Sequence, residues 1–229
     1  MSVLLATILP SLIIVFYFVI SDKFKEPTFQ IIKIFFFGIL ITIPAFFINT
    51  YLGDILEKNT NISEPLIGSF LTAAPVEEGL KFFILFYFVY KMKDFNEPID
   101  GIVYGVCVSL GFATLENIYY VYVLPEYFQT TPLSLAVLRA FSAVPAHAAF
   151  GAFMGYFFMR YSFVSKKDNL FFSIIIPFFL HGFYNLSMSY NYIIGYLIVI
   201  ISWIIIVRIF LKLRYNQSKK KVEHEEKIH

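Results

Sequence analysis

The sequence predicts an all-α fold, a polytopic transmembrane bundle of about seven spans, with the N-terminus outside the cell and the C-terminus inside. Three observations carry this. Of 229 residues, 59% are hydrophobic and 15% charged, against roughly 45–50% and about 25% in soluble domains. Mean hydropathy is +0.72. So much apolar surface exceeds what one water-soluble core covers, so the solvent is lipid. Apolar runs that meet the requirement of about 20 residues per span recur along the whole chain, and basic residues fall on alternate breaks between them.

In order, the runs are roughly 3–20, 30–52, 66–90, 99–123, 133–159, 170–190 and 192–212. The first has no basic leader and no small-residue cleavage site, and reads as a retained helix. Ser21-Asp22-Lys23 ends it, and Gly53-Asp54 ends the second. The third carries Pro75 and stops at Lys91-Met92-Lys93-Asp94. Leu124-Pro125-Glu126 closes the fourth, Lys166-Lys167-Asp168 the fifth and Ser189-Tyr190-Asn191 the sixth. Residues 1–213 thus form the bundle, and 214–229 a charged cytoplasmic tail. Lys23, Lys25, Lys33, Lys91, Lys93, Arg160, Lys166 and Lys167 flank the odd breaks, while the even ones hold chiefly Lys58. By the positive-inside rule the odd breaks and the tail face the cytoplasm.

Other classes fall away. The net charge of +2 gives no reason for a nucleic-acid partner, and no Gly-rich loop supports a nucleotide. One cysteine, Cys107, excludes a disulfide framework.

Ionisable groups inside a bilayer cost roughly 2.5–3.5 kcal/mol or more each and are functional candidates by default. The third run holds Glu77, Glu78 and Lys81; the fourth Glu116 and Asn117; the fifth His147; the sixth His181 and Asn185. At about 1.5 Å per residue from their basic ends, Glu78, Glu116, His147, His181 and Asn185 fall about 17–26 Å above the inner face. Polar groups from separate helices sharing one outer-half layer point to a single site. Lys81 lies one turn beyond the two glutamates, where it neutralises one of them. Two adjacent carboxylates also disfavour simultaneous ionisation, which suits acid–base work near neutrality. His181 and Asn185, one turn apart, share a face. Each of these has a blander reading as an ion pair or interhelical hydrogen bond, and that reading leaves the shared depth without a cause. Arg139 falls at the outer rim, as an interfacial anchor or a partner of Glu116. Gly101, Gly105, Ser109 and Ala113, with Gly151 and Gly155, form small-residue stripes for close helix packing, within the bundle or between copies.

A carboxylate and a histidine on facing helices activate water, and a second histidine with an asparagine stabilises an oxyanion. This is equipment for amide hydrolysis. The chain lacks His-Glu-x-x-His, Gly-x-Ser-Gly and a Gly-x-Gly-Asp aspartate pair, which leaves a Glu/His system. Glu78, His147 and His181 would also make a three-ligand zinc site with one open position, so metal-free and zinc chemistry both stay open.

The run Ala74-Pro75-Val76-Glu77-Glu78-Gly79-Leu80-Lys81, the pair Glu116-Asn117, His147 followed by Gly151, and His181-Gly182-Phe183-Tyr184-Asn185 together resemble the PrsW family of intramembrane proteases. That family is distantly similar to the CAAX prenyl endopeptidases and the bacterial Abi proteins. The resemblance implies a glutamic-type protease, often labelled a metalloprotease, in a bacterial cell membrane. It implies cleavage of a single-span anti-sigma factor on its extracytoplasmic side, freeing a sigma factor. Glu77 or Glu78 with His147 would activate water, His181 and Asn185 would hold the oxyanion, and Lys81, Glu116 and Asn117 would support them. CAAX enzymes carry Glu-Glu-x-x-x-Arg and a Phe four residues before the first His. Here the motif is Glu-Glu-x-x-Lys, and Ala143 replaces the Phe, which argues against prenylated substrates. Two rival readings use the same residues. One is a proton- or cation-coupled transporter using the Glu/Lys/His cluster, disfavoured by the absence of a repeat. The other is an inactive scaffold, which has no need of the full set at one depth.

Overall fold

The computed structural model describes residues 2–126, 128–164 and 167–226, with side chains described as far as residue 218. Ser165 and Lys166, part of the fifth break, lie outside them. Helix α1 (Val3–Ser21) starts under Ser2, whose Oγ accepts from the Leu5 amide at 3.3 Å. Helix α2 (Thr28–Asn59) follows Pro27. Then come α3 (Glu64–Leu66), a π-helical stretch Ile67–Ala73, α4 (Ala74–Ile84) and a second π-helical stretch Leu85–Val89. Helix α5 (Pro98–Val123) opens with a proline and a capping box between Glu97 and Asp100. After it, α6 (Pro132–Phe141) is capped by Thr131, and α7 (Ala143–Val164), α8 (Asp168–Tyr190) and α9 (Tyr192–Glu226) complete the chain. No strand occurs among the described residues.

Among the described residues six helical units are long and apolar enough to cross a membrane: α1, α2, α5, α6 with α7, α8 and α9. The remaining expected span, 66–90, is helical but subdivided. Pro75 cannot donate into the preceding turn, and Glu77, Glu78 and Lys81 interrupt the apolar run; the π-helical stretches flank this segment. The fifth run breaks at Ser142, whose φ of −122° and ψ of −75° are not helical. Helix α9 continues past residue 213 without interruption to Glu226.

Helix α5 is the axis of the bundle. Nearly all of it is buried, whereas only about a third or less of α1, α2, α8 and α9 is. Phe29, Phe47, Ile200 and many other large apolar side chains point outward, while Glu78, Lys81, Asp100 and His147 are buried. This inversion of the soluble pattern is what a lipid solvent dictates. Helices α5 and α7 meet through the two glycine stripes, which settles those stripes as contacts within the bundle. A Cβ on Gly155 would fall 1.8 Å from the Gly101 carbonyl oxygen, and one on Gly105 2.2 Å from that of Gly151. The close approach lets Ser109 Oγ donate to the His147 carbonyl at 2.6 Å, fixing α7 in register. Gly155→Leu is therefore expected to cost more than the ~1–3 kcal/mol of ordinary overpacking. It should abolish a monodisperse peak in detergent size-exclusion chromatography, while Gly53→Ala, with no atom within 4 Å of its Cβ, should elute as the native chain does.

One end of the bundle gathers most of the basic residues. There the 22–27 and 91–97 segments meet the C-terminal part of α9: Gln217 Nε2 donates to Asp22 Oδ1 at 2.8 Å and to Glu97 Oε2 at 2.6 Å. Gln30 Nε2 donates to Asp94 Oδ2 at 2.9 Å. Burial pushes the Glu26 carboxyl up to about 7.

Candidate active site

The π-helical stretch before α4 and Pro75 in its first turn bring Glu77, Glu78 and Lys81 inward together. Lys81 is fully buried and is the hub. Its Nζ donates to Glu78 Oε1 at 2.7 Å and to His147 Nδ1 at 3.2 Å, and lies 3.9 Å from Glu77 Oε2. The ammonium also sits 4.4 Å from the centre of the Phe112 ring on α5. An imidazole nitrogen that accepts from an ammonium carries no proton, so the proton of neutral His147 is on Nε2. That nitrogen faces Glu116 Oε2 at 3.0 Å and donates to it.

Helix α5 supplies Glu116 and Asn117, and both are held by Arg139 of α6. Arg139 Nη2 donates to Glu116 Oε2 at 2.5 Å and Nε to Asn117 Oδ1 at 2.6 Å. The guanidinium stacks 3.8 Å from the Tyr120 ring centre. Arg139 is thus the partner of Glu116, and the break at Ser142 is what turns α6 so that it reaches across. On α8, His181 Nδ1 meets Glu78 Oε1 at 2.8 Å, and donation to that carboxylate leaves Nε2 as the acceptor, 3.9 Å from Glu77 Oε2. Phe150 of α7 stacks on the His181 ring at 5.4 Å. The sharing of one layer anticipated from helix rise is therefore a set of direct contacts among α4, α5, α6, α7 and α8.

The two glutamates differ in what they face. A cavity of about 1050 Å3 opens among α2, the first π-helical stretch, α5, α6, α7 and α8. Glu77, Glu116, Arg139, His147 and Asn185 line it, whereas Glu78, Lys81 and His181 lie behind its wall. Among the described residues Glu77 Oε2 is buried with no hydrogen-bond partner, and its Oε1 accepts from Asn49 Nδ2 of α2 at 3.3 Å. Glu78 keeps one bare oxygen too, sealed in the protein. Asn49, Tyr120, Phe112 and Phe150 went unremarked in the sequence, since a single Asn or aromatic in an apolar run carries no signal of what it faces.

Ligand atoms of Glu77, Glu116 and His147 all lie within 4.8 Å of one another. Two carboxylates and an imidazole beside a cavity, one carboxylate oxygen lacking a hydrogen-bond partner among the described residues, match the three-ligand, one-open-position pattern of a zinc site. Of the zinc set suggested by the sequence, His147 is in this group, while Glu78 and His181 are hydrogen-bonded to each other.

The chain resembles known proteins along most of its length. It is 38% identical to Protease PrsW of Geobacillus kaustophilus over 187 residues, covering 80% of this chain and 78% of that one. It is 33% identical to Protease PrsW of Clostridioides difficile over 236 residues, covering 100% and 94%. To Protease PrsW of Bacillus subtilis it is 35% identical over 192 residues, covering 82% and 83%. No solved structure matches it. The family model of PrsW intramembrane metalloproteases matches residues 26–211, a stretch that contains every residue of the buried cluster. With that cluster set among membrane-crossing helices, the chain belongs to the PrsW family and is a multi-pass intramembrane protease.

Proposed function

We propose that the chain hydrolyses a peptide bond of a single-span membrane protein near the extracytoplasmic face, in the manner of an anti-sigma-factor protease, and that Glu77 and His147 activate the water. The observation that carries this is the bare Glu77 Oε2 on the cavity wall, in one group with His147 and Glu116. Glu77 takes the water proton as general base. His147, whose ring is oriented by Lys81 and Glu116, flanks the same water, and the proton that Glu77 has taken passes on to the leaving amine. Asn185, which also lines the cavity, supplies the amide donor for the oxyanion. Glu78 holds Lys81 and His181 in place, and His181 acts through Glu78 and from behind Glu77. Arg139 and Asn117 fix Glu116. Outer-side cleavage follows from the distance of the cluster from the basic end, about 24 Å along α5 between Asp100 and Glu116, if that end is cytoplasmic.

The metal that the family description implies fits the donor group Glu77, Glu116 and His147, in which case Glu77 would hold it rather than act as the base. Bound there it would supply Lewis acidity toward a water and a carbonyl. The test compares new N-termini of membrane proteins in cells carrying the native chain or Glu77→Ala at matched expression. A fragment on the outer side of a single-span protein, present only with the native chain, is the expected result. Its cleavage by purified components should drop with a chelator and return with zinc where the donor group holds the metal, and should stay unchanged where Glu77 acts as the base without one. Identical N-terminal profiles under several envelope stresses would overturn the proposal.

A further inference from the structure

A second cluster of carboxylates lies at the basic end, far from the protease site. Asp22 closes α1, Glu26 lies in the 22–27 segment and Asp100 is in the first turn of α5. All three are at least nine-tenths buried. One oxygen of each lies within 4.8 Å of one oxygen of the other two. The donors around them are neutral. Asp22 Oδ1 accepts from the Phe24 amide at 3.0 Å and from Gln217 Nε2 at 2.8 Å. Glu26 Oε2 accepts from the Tyr104 hydroxyl at 2.5 Å. Asp100 Oδ2 accepts from the Asn96 and Glu97 amides at 2.9 and 2.6 Å.

Two features make this more than a set of loop acids. Among the described residues no lysine, arginine or histidine forms an ion pair with any of the three; the nearby Lys23, Lys25 and Lys93 are exposed. Further, Asp22 Oδ2 and Asp100 Oδ1 are buried and find no N–H or O–H donor group among the described residues, the Glu26 carboxyl lying within hydrogen-bond reach of Asp100. A buried carboxylate oxygen without a donor costs several kcal/mol, and here two of them are sealed in one place. In the catalytic cluster Lys81 and Arg139 supply the countercharge. At the basic end no described residue does.

We propose that Asp22, Glu26 and Asp100 bind a hard divalent cation, Mg2+ or Ca2+, that ties α1, the 22–27 segment and α5 together. The donor set is oxygen only, without histidine or thiolate, which selects such ions over zinc. Gln217 extends the same tie to α9 through Asp22. The ion would be structural: it lies about 24 Å along α5 from Glu116, and the inference does not depend on the protease mechanism.

Mn2+ is the probe, with free ion counted by electron paramagnetic resonance on the purified full chain. Glu77→Ala serves as background so that the catalytic group is disarmed. The expected result is one Mn2+ per chain, displaced by Mg2+ or Ca2+, with binding at least tenfold weaker in Asp22→Asn and in Asp100→Asn. Glu26→Gln, which keeps an acceptor for Tyr104, provides the same reading should the aspartate variants fail to fold. The melting temperature of the native chain should also rise several degrees on moving from chelator to Mg2+ or Ca2+, and that of the variants should not. Competition by one ion and not the other identifies which is held. Mn2+ binding that survives these substitutions, or no binding by the parent chain, overturns the proposal. So does a native chain indifferent to cations whose asparagine variants are more stable, because that is the behaviour of carboxyls sharing a proton.

Discussion

Glu77→Gln is expected to lower the rate of substrate cleavage by about 10²–10⁴-fold, the range for loss of a general base, with the protein inserted and folded. Gln keeps the shape of Glu and an oxygen for Asn49 Nδ2, so little besides the basic carboxylate is lost. Glu78→Gln tests the assignment from the other side. It weakens the ion pair with Lys81 and the bond from His181, and so loosens both groups that position the water. Its loss should be smaller and should come with a lower melting temperature, because a buried pair has been broken. Single-turnover cleavage of a purified substrate, alongside thermal unfolding, separates the two. Full activity in Glu77→Gln would remove it from the mechanism, and a thermally unaltered but inactive Glu78→Gln would exchange the roles.

Much of this site was legible because charge in a membrane is scarce. Glu77, Glu78, Lys81, Glu116, His147 and His181 stood out against apolar runs, and helix rise alone placed Glu78, Glu116, His147, His181 and Asn185 in one layer; contacts of 2.7–3.2 Å join Glu78, Lys81, Glu116, His147 and His181, and Asn185 lines the adjoining cavity. The stripes Gly101/Gly105 and Gly151/Gly155 likewise announced a close crossing. What the sequence concealed depends on rotation and bending. Glu77 and Glu78 are neighbours about 100° apart on one helix, and only the packed bundle shows that Glu77 meets the cavity and Glu78 does not. The π-helical stretches beside α4 have no residue signature. The turn at Ser142, which swings Arg139 onto Glu116, sits inside an apolar run that reads as one span. Asp22, Glu26 and Asp100 carry no sign of burial in their local sequence, because α9 and the 91–97 segment fold over them through long-range contacts.

Lys81→Met is expected to be the most destabilising single substitution in the catalytic cluster, by about 3–5 kcal/mol. Met matches the aliphatic stem of Lys and can keep contact with Phe112, so packing changes little. The charge is what disappears. Glu78, with no exposure, would retain only His181 as a partner, Glu77 would lose its nearest cation, and His147 Nδ1 its donor. For a chain of this size, about 2–4 °C of melting temperature accompanies each kcal/mol, so a fall of about 6–20 °C is expected, read from the fluorescence of Trp203. The cause is electrostatic if Glu78→Gln, placed in the same chain, restores part of the loss: with the carboxylate gone, the missing ammonium matters less, and the two changes should couple by about 0.5–3 kcal/mol. Additive effects of Lys81→Met and Glu78→Gln, or a Lys81→Met chain that melts with the native one, would mean that the buried carboxylates are neutral and that Lys81 does not hold the cluster. Restored stability need not restore cleavage. The double variant has lost the ammonium that fixes the His147 ring, so a folded chain with orders-of-magnitude slower turnover would show that the ion pair serves both to admit two acids into the bilayer and to aim the groups that use them.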